Sequence, residues 1–212
     1  LGGAWELGDK PRIIDDCIVC PYHGWEFGSD GECRNIPSIG YGKKVPPRAA
    51  AWRGFLFTGG TFLVGTYWLY NSIHLVGGAP LWIAAFLMLG LVAIMGSYSA
   101  ALGYAVNRWG PATGAMRWLV LLPAGWVLVE WFRGWFLSGF PWLALGYSQL
   151  ETGLRGFAPV LGVYGVSLAV AVSAGVLVAL LLGRQADRIV ACVIGLSVWG
   201  TGMALTRIDW TV

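Results

Sequence analysis

The sequence predicts a mainly α-helical fold, a polytopic membrane helix bundle preceded by a small, partial β segment. Two observations predict it. Of the 212 residues, 57% are hydrophobic and 12% are charged, whereas a soluble domain carries about 25% charged residues. The charge is also uneven, because residues 1–52 hold 13 of the 25 Asp, Glu, Lys and Arg residues, and no lysine follows Lys44. We therefore predict a soluble-type segment over residues 1–50 and a membrane region over residues 51–212.

The first predicted element is a β-hairpin. In the stretch RIIDDCIVC apolar and polar residues alternate in part, and the short run WEF is followed by the turn sequence GSDG. Strand-forming residues on both sides of a Gly- and Asp-containing turn are typical of a hairpin.

Five apolar stretches follow the hairpin, and each approaches the length of about 20 residues that crosses a bilayer core as a helix. We predict transmembrane helices over residues 54–73, 81–106, 118–135, 157–182 and 189–205. Pro159 falls in the first turn of the fourth helix, where the missing N–H does little harm.

The cations of the membrane region predict its orientation. Arginines and lysines precede the first predicted span and follow the second and the fourth, which places these connections on the cytoplasmic side by the positive-inside rule. They are Lys43, Lys44, Arg48, Arg53, Arg108, Arg117, Arg184 and Arg188. The N-terminal segment is then cytoplasmic, and residues 74–80, 133–157 and 206–212 face outward. The net charge of +3 is small and does not form a basic stripe, so no nucleic-acid partner is expected.

Three quoted segments of the membrane region resemble a known family. They are EWFRGWFLSGFPWLALGYSQ over residues 130–149, GFLFTGGTFLVGTYWLYNSIHLVGGAP and LRGFAPVLGVYGVS. Together they resemble the transmembrane part of bacterial apolipoprotein N-acyltransferase, and the likeness extends over about residues 52–212 in the family's order. The resemblance implies a multi-pass protein of the bacterial inner membrane. Its partners would be a membrane phospholipid, which donates an acyl chain, and the N-terminal cysteine amine of a lipoprotein, which receives it.

The chemistry implied by this family is not matched by reactive residues here. The family uses a Glu, a Lys and a Cys of a nitrilase-like domain, with an acyl-thioester on the cysteine, and such covalent catalysis needs an activated thiol. Beyond Cys33 this chain has only Cys192, and it has no lysine after Lys44. We therefore expect no catalytic residue within the chain. We interpret it as a catalytically incomplete fragment that lacks the nitrilase-like domain and two earlier spans.

Residues of the segment 130–149 are the candidates for lipid or substrate contact. Glu130 and Arg133 are three positions apart and share a helix face, so they either form a local ion pair at the span end or receive phospholipid or lipoprotein headgroups. An acid within a span is costly unless it is paired or near water. Trp142, Tyr147 and Gln149 follow in the loop SGFPWLALGYSQ.

Two interpretations of this loop remain open. In the first, Trp142 and Tyr147 cover an acyl chain and Gln149 offers an amide. In the second, the loop is a re-entrant turn shaped by Gly139 and Pro141.

The stretch CPYHGWEF carries a C-x-x-H pair, Cys20 and His23. With its surroundings it resembles the second half of a Rieske [2Fe-2S] motif, in which two cysteines bind one iron and two histidines the other. The earlier C-x-H pair is absent, so the ligand set for a cluster is incomplete and no cofactor is expected in this chain. Alternatively, Cys17, Cys20, His23 and Cys33 supply four donors for a tetrahedral zinc site, or the segment is an inert truncated fold.

Three functional hypotheses follow. The first is an apolipoprotein N-acyltransferase fragment joined to half of a Rieske motif. The second is a membrane-anchored Rieske-type redox protein, and the third is a non-catalytic lipid-binding membrane module.

Overall fold

The computed structural model describes residues 12–14, 16–20, 25–35, 45–136 and 139–210. The chain divides into two compact units, Leu1–Lys44 and Val45–Val212.

The first unit contains an antiparallel sheet of four short strands in sequence order: β1 Arg12–Ile14, β2 Cys17–Val19, β3 Glu26–Phe27 and β4 Cys33–Asn35. Ile13 is opposite Ile18, and Val19 is opposite Glu26. The predicted hairpin is confirmed between β3 and β4. Its turn is closed by a hydrogen bond from the N–H of Gly31 to the carbonyl of Gly28 (2.9 Å), with Gly31 at φ +78°.

The second unit is helical. Its α-helices are α1 Pro47–Gly65, the short α2 Trp68–Tyr70, α3 Leu81–Trp109, α4 Leu122–Arg133, α5 Ala158–Leu182 and α6 Gln185–Leu205. Segments of π-helix cover Asn71–Val76 and Met116–Leu121, and 3₁₀ turns cover Leu145–Gln149 and Gly153–Phe157. Gly162 interrupts α5 with φ +64°, a conformation that glycine adopts without steric cost.

Three helical segments of the described chain are long and apolar enough to cross a membrane. They are Leu81–Trp109 (29 residues, mean hydropathy 2.0), Gly153–Leu182 (30 residues, 2.5) and Gln185–Leu205 (21 residues, 1.6). Three of the five predicted spans are thereby confirmed in length and composition.

The other two predicted spans are helical but fall short of this standard. α1 carries two arginines and four glycines in its 19 residues, which lower its hydropathy. The stretch 116–133 is divided between a π-helical segment and α4, and it contains three charged residues, Arg117, Glu130 and Arg133.

α1 and α3 pack closely along their lengths. A Cβ atom on Gly54 would overlap the carbonyl oxygen of Ser99, and one on Gly103 would come within 2.6 Å of the carbonyl oxygen of Ala50. One turn beyond Gly54 on α1, the Thr58 hydroxyl donates a hydrogen bond to the Ser99 hydroxyl (2.7 Å). Small residues thus let the two backbones approach, as is common for helices in membranes.

The helical core lies between α5, α6 and the segments packed on them. One cluster of buried side chains contains Leu119, Val172, Val176, Ala179 and Ala191, and another contains Leu154, Val166 and Ala169. Many large apolar side chains point away from this core, among them Phe86, Leu181 and Leu196, which are 71%, 75% and 77% exposed. A surface of this kind is typical of helices surrounded by lipid.

Candidate functional site

The candidate site is at the C-terminal end of α4, where a helix face carries two charged side chains. Glu130 and Arg133 are three residues apart, and a guanidinium nitrogen of Arg133 lies 3.9 Å from Glu130 Oε1. Both side chains are buried, with exposed fractions of 2% and 5%. The predicted local ion pair is therefore present, and it lies inside the protein.

Glu130 connects α4 to the loop that follows it. Its Oε1 atom accepts hydrogen bonds from the indole N–H of Trp126 (2.8 Å), one turn earlier, and from the backbone N–H of Leu145 (2.9 Å). Its other oxygen, Oε2, is buried and has no hydrogen-bond partner in the part of the chain that the structure describes. Because a buried carboxylate is costly to leave unpaired, its retention depends on the nearby guanidinium.

Arg133 links three parts of the helical unit. Its Nη1 donates to the carbonyl oxygens of Trp142 (2.5 Å) and Phe140 (3.4 Å). Its guanidinium carbon lies 5.1 Å from the centre of the Phe62 ring of α1, within the range of a cation–π interaction. The arginine therefore holds the loop after α4 against the end of α4 and against α1.

The loop after α4 contains two residues of positive φ, Gly139 (+75°) and Leu143 (+59°). Leu143 is not a glycine, and a left-handed conformation there is maintained only when its surroundings impose it. The N–H of Gly146 donates to the fully buried hydroxyl of Ser167 on α5 (2.8 Å). The loop is thus fixed at one end by Arg133 and at the other by Ser167.

Aromatic rings continue from the loop to the neighbouring helices. The Phe140 ring stacks on Trp142 with centroids 5.1 Å apart, and it lies 6.1 Å from Phe62. The Trp142 ring is also 6.2 Å from Trp68, and it remains 49% exposed. A half-exposed indole at this position presents an apolar surface beside a set of backbone carbonyls.

The structure brings together some of the predicted site residues and separates others. Glu130, Arg133 and the backbone of Trp142 form one cluster. Tyr147 is 55% exposed, and among the described residues its side chain makes no hydrogen bond or ring contact with that cluster. Gln149 donates to the Ser148 hydroxyl (2.8 Å) and accepts from the Thr152 hydroxyl (2.9 Å), so its amide is held within its own turn.

Three residues of the cluster were not identified from the sequence: Trp126, Phe62 and Ser167. Trp126 precedes Glu130 by four positions on the same helix, and this spacing alone would have predicted the contact. Phe62 and Ser167 belong to other helices, and no local pattern indicates that they meet this loop.

The cysteine-containing segment lies in the first unit. Cys17 is buried at the start of β2, and Cys20, directly after that strand, is half-buried. The backbone N–H of Cys20 donates to the carbonyl of Trp25 (2.7 Å). His23 lies outside the described residues, as does the side chain of Cys33. No group of three or more potential metal ligands is found among the residues that are described.

Comparison with known proteins identifies the helical unit. The family model described as the apolipoprotein N-acyltransferase N-terminal domain matches residues 39–176. The chain belongs to this family. The family resemblance drawn from the segment 130–149 is thus confirmed. In this domain, the buried Glu130–Arg133 pair lies at the end of α4 and contacts the loop that follows this helix.

Curated relatives agree with this assignment. The apolipoprotein N-acyltransferase of Azotobacter vinelandii is 43% identical over 176 residues, which are 80% of this chain and 33% of that protein. Those of Chromobacterium violaceum and Methylococcus capsulatus are each 41% identical, over 78% of this chain and 32% and 33% of their own lengths. The chain therefore spans about a third of the length of the relatives it matches.

A second family model, the Rieske [2Fe-2S] domain, matches residues 6–46. The resemblance of the cysteine-containing segment to a Rieske motif is therefore also confirmed.

Proposed function

We propose that the helical unit is the lipid-handling membrane part of an apolipoprotein N-acyltransferase. The observation that carries this proposal is the family match over residues 39–176. Within the matched region, the side chains of Glu130 and Arg133 hold the loop after α4 by hydrogen bonds to its backbone. In this function the unit lies in the bacterial inner membrane and admits a phospholipid and the N-terminus of a lipoprotein. The N-terminal segment is cytoplasmic, and the loop after α4 and the C-terminus face outward.

The proposed site divides its tasks between buried and exposed residues. Glu130 and Arg133 are positioning residues, because Glu130 Oε1 and Arg133 Nη1 are hydrogen-bonded to the loop backbone and the two side chains pair with each other. Trp142 and Tyr147 are 49% and 55% exposed, so they are available to contact an acyl chain. The amide of Gln149 is held within its own turn by Thr152.

The chain supports binding rather than bond formation. Its only cysteine after Cys33 is Cys192, an exposed residue of α6, and no lysine follows Lys44. An acyl-thioester mechanism needs a thiol with a base and a cation close to it. We infer that acyl transfer depends on the nitrilase-like domain that the family resemblance implies.

We also propose that all five predicted spans cross the membrane in the assembled bundle. α1 lies along α3, a candidate span, and joins it through the buried Thr58–Ser99 hydrogen bond. The segments Met116–Leu121 and Leu122–Arg133 hold 6 and 12 residues, and at the α-helical rise they extend about 27 Å. Their charged residues are accommodated because the Glu130–Arg133 pair is buried within the protein.

Photo-crosslinking tests the proposed lipid-handling surface. The full chain, reconstituted in bilayer nanodiscs, is exposed to a diacylglyceryl lipopeptide with a photoreactive acyl chain. We expect labelling near Trp142 and Tyr147, with a several-fold loss in Trp142→Ala because indole burial against an acyl chain is lost. Trp109→Ala is the matched control. Trp109 is also exposed (73%), but it is the last residue of α3 and does not belong to the loop after α4. Equal losses in both variants would contradict the proposal.

A transfer assay tests the absence of a catalyst. The same chain, incubated with phospholipid and a lipopeptide acceptor, should give no acylated product. Any transfer by this chain alone would contradict the inference that its reactive groups lie elsewhere.

The second candidate function, Rieske-type redox chemistry, is favoured by the family match over residues 6–46. The donors of this chain do not fit a resident cluster. A Rieske centre needs two imidazoles on one iron, and the chain has two histidines in all. One of them, His74, lies on the π-helical segment of the second unit, where its Nδ1 is 2.7 Å from the carbonyl oxygen of Ala79.

Metal analysis of the purified protein distinguishes the remaining alternatives. We expect less than one iron per chain and no electron-paramagnetic signal of a reduced Rieske centre. Two irons per chain would support the redox function, and one zinc would support the set Cys17, Cys20, His23 and Cys33.

A further inference from the structure

An open groove runs between α1 and α3, away from the candidate site. Its volume is about 280 Å³, and it is lined by Arg48, Ala51, Trp52, Phe55, Ala100 and Tyr104. On α1, Ala51 and Trp52 lie three and four positions after Arg48, and Phe55 lies one turn further; on α3 the two residues are four apart, so each set occupies one helix face. The groove therefore follows both helices along their shared side.

The packing of the two helices explains the groove. Gly54 and Gly103 bring the backbones together, so that the small side chains of Ala51 and Ala100 leave a trench between larger ones. Aromatic rings form its sides. Trp52 is 63% exposed and Tyr104 is 41% exposed, and both are residue types that prefer the interface between membrane and water.

The groove combines an apolar lining with one cation. Arg48 is exposed and makes no ion pair with any residue that the structure describes. Neither α1 nor α3 contains an Asp or a Glu. A positive charge on two helices that carry no carboxylate is complementary to a phosphate, and the apolar trench beside it is complementary to an acyl chain.

We propose that this groove binds one anionic phospholipid, with its phosphate at Arg48 and an acyl chain along Ala51, Phe55 and Ala100. The indole N–H of Trp52 and the hydroxyl of Tyr104 supply further donors at the headgroup level. No covalent step is involved.

The groove is separate from the site at α4. Arg133 contacts α1 at Phe62, whereas the groove begins at Arg48. The separation of 14 positions between Arg48 and Phe62 corresponds to about 21 Å along the helix. The two sites thus lie towards opposite ends of α1, and their ligands contact different residues.

Matched arginine variants test the headgroup part of the proposal. The full chain is placed in phosphatidylethanolamine nanodiscs that contain a phosphatidylglycerol probe with a diazirine in its acyl chain, and labelled peptides are mapped by mass spectrometry. We expect labelling of α1 and α3 at the groove, reduced roughly fivefold in Arg48→Gln, which corresponds to the attraction of one arginine near a membrane surface. Arg53→Gln is the control, because Arg53 is also exposed on α1 but does not line the groove.

A second pair of variants tests the acyl part. Ala100→Leu fills the trench and should reduce labelling whatever the headgroup, whereas Ala101→Leu, an exposed neighbour outside the groove, should not. Equal losses in Arg48→Gln and Arg53→Gln, or unchanged labelling in Arg48→Gln, would overturn the proposal. So would cross-links from α1 to a second copy of the chain in place of lipid. If Ala100→Leu fails to fold, the arginine pair still decides the question.

Discussion

Two arginines near opposite ends of α1, Arg133 of α4 and Arg48 of α1 itself, have opposite environments. At the C-terminal end, the guanidinium of Arg133 lies over Phe62, is 5% exposed, and donates to two loop carbonyls beside Glu130. At the N-terminal end, Arg48 is exposed and has no ion pair within the described chain. Arg133 is buried, with Nη1 donating to two loop carbonyls and another guanidinium nitrogen near Glu130, so it positions the protein itself. An exposed and unpaired arginine such as Arg48 remains available for a ligand.

The largest effect on stability is expected from removing the buried charge. Arg133→Gln leaves the carboxylate of Glu130 buried without its cation and removes the donor to the Trp142 carbonyl. We expect a loss of about 3–5 kcal/mol in the free energy of unfolding, as for other broken buried pairs. The measurement is the unfolding midpoint of the purified chain in detergent.

The double variant Glu130→Gln with Arg133→Gln is the control for that result. It removes both charges, so it should recover part of the lost stability. A double variant that is no more stable than Arg133→Gln alone would show that the arginine acts only through the loop carbonyls.

A smaller effect on stability is expected from removing the indole N–H of Trp126, a contact that was not identified from the sequence. Trp126→Phe keeps an aromatic ring but removes the N–H that donates to Glu130 Oε1. Hydrogen bonds to charged groups contribute about 1.5–3 kcal/mol, and we expect a loss in this range by the same unfolding measurement. Trp131→Phe, a half-exposed position on the same helix, should have little effect. Similar losses for the two variants would exclude a specific role of the indole N–H.

The smallest effect is expected at the other end of α1. Arg48→Gln removes an exposed charge that has no ion pair in the described structure, and such substitutions usually change stability by less than about 0.5 kcal/mol. The unfolding midpoint in a neutral detergent should therefore be unchanged, while lipid labelling falls. A large loss of stability without lipid would show that Arg48 supports the fold rather than a ligand.

The helices predicted from the sequence are present in the structure because long apolar runs have few alternatives to helical structure in a membrane. The predicted span 118–135 corresponds to the helical stretch 116–133, with a π-helical start that hydropathy does not reveal. The Glu130–Arg133 contact was predicted because it depends only on helical spacing. The groove at Arg48 was not predicted, because it depends on how closely α1 and α3 approach.

The amino-acid sequence alone predicts the order and nature of the elements: a short β segment, apolar helices after it, and two family resemblances carried by local motifs. Which polar groups are engaged within the protein and which remain available to a ligand depends on the tertiary structure. The Phe62–Arg133 and Gly146–Ser167 contacts join residues far apart in the chain, and burial at such contacts depends on helix packing. Local periodicity shows which face of a helix is apolar, whereas the identity of the group that meets that face is set by the fold.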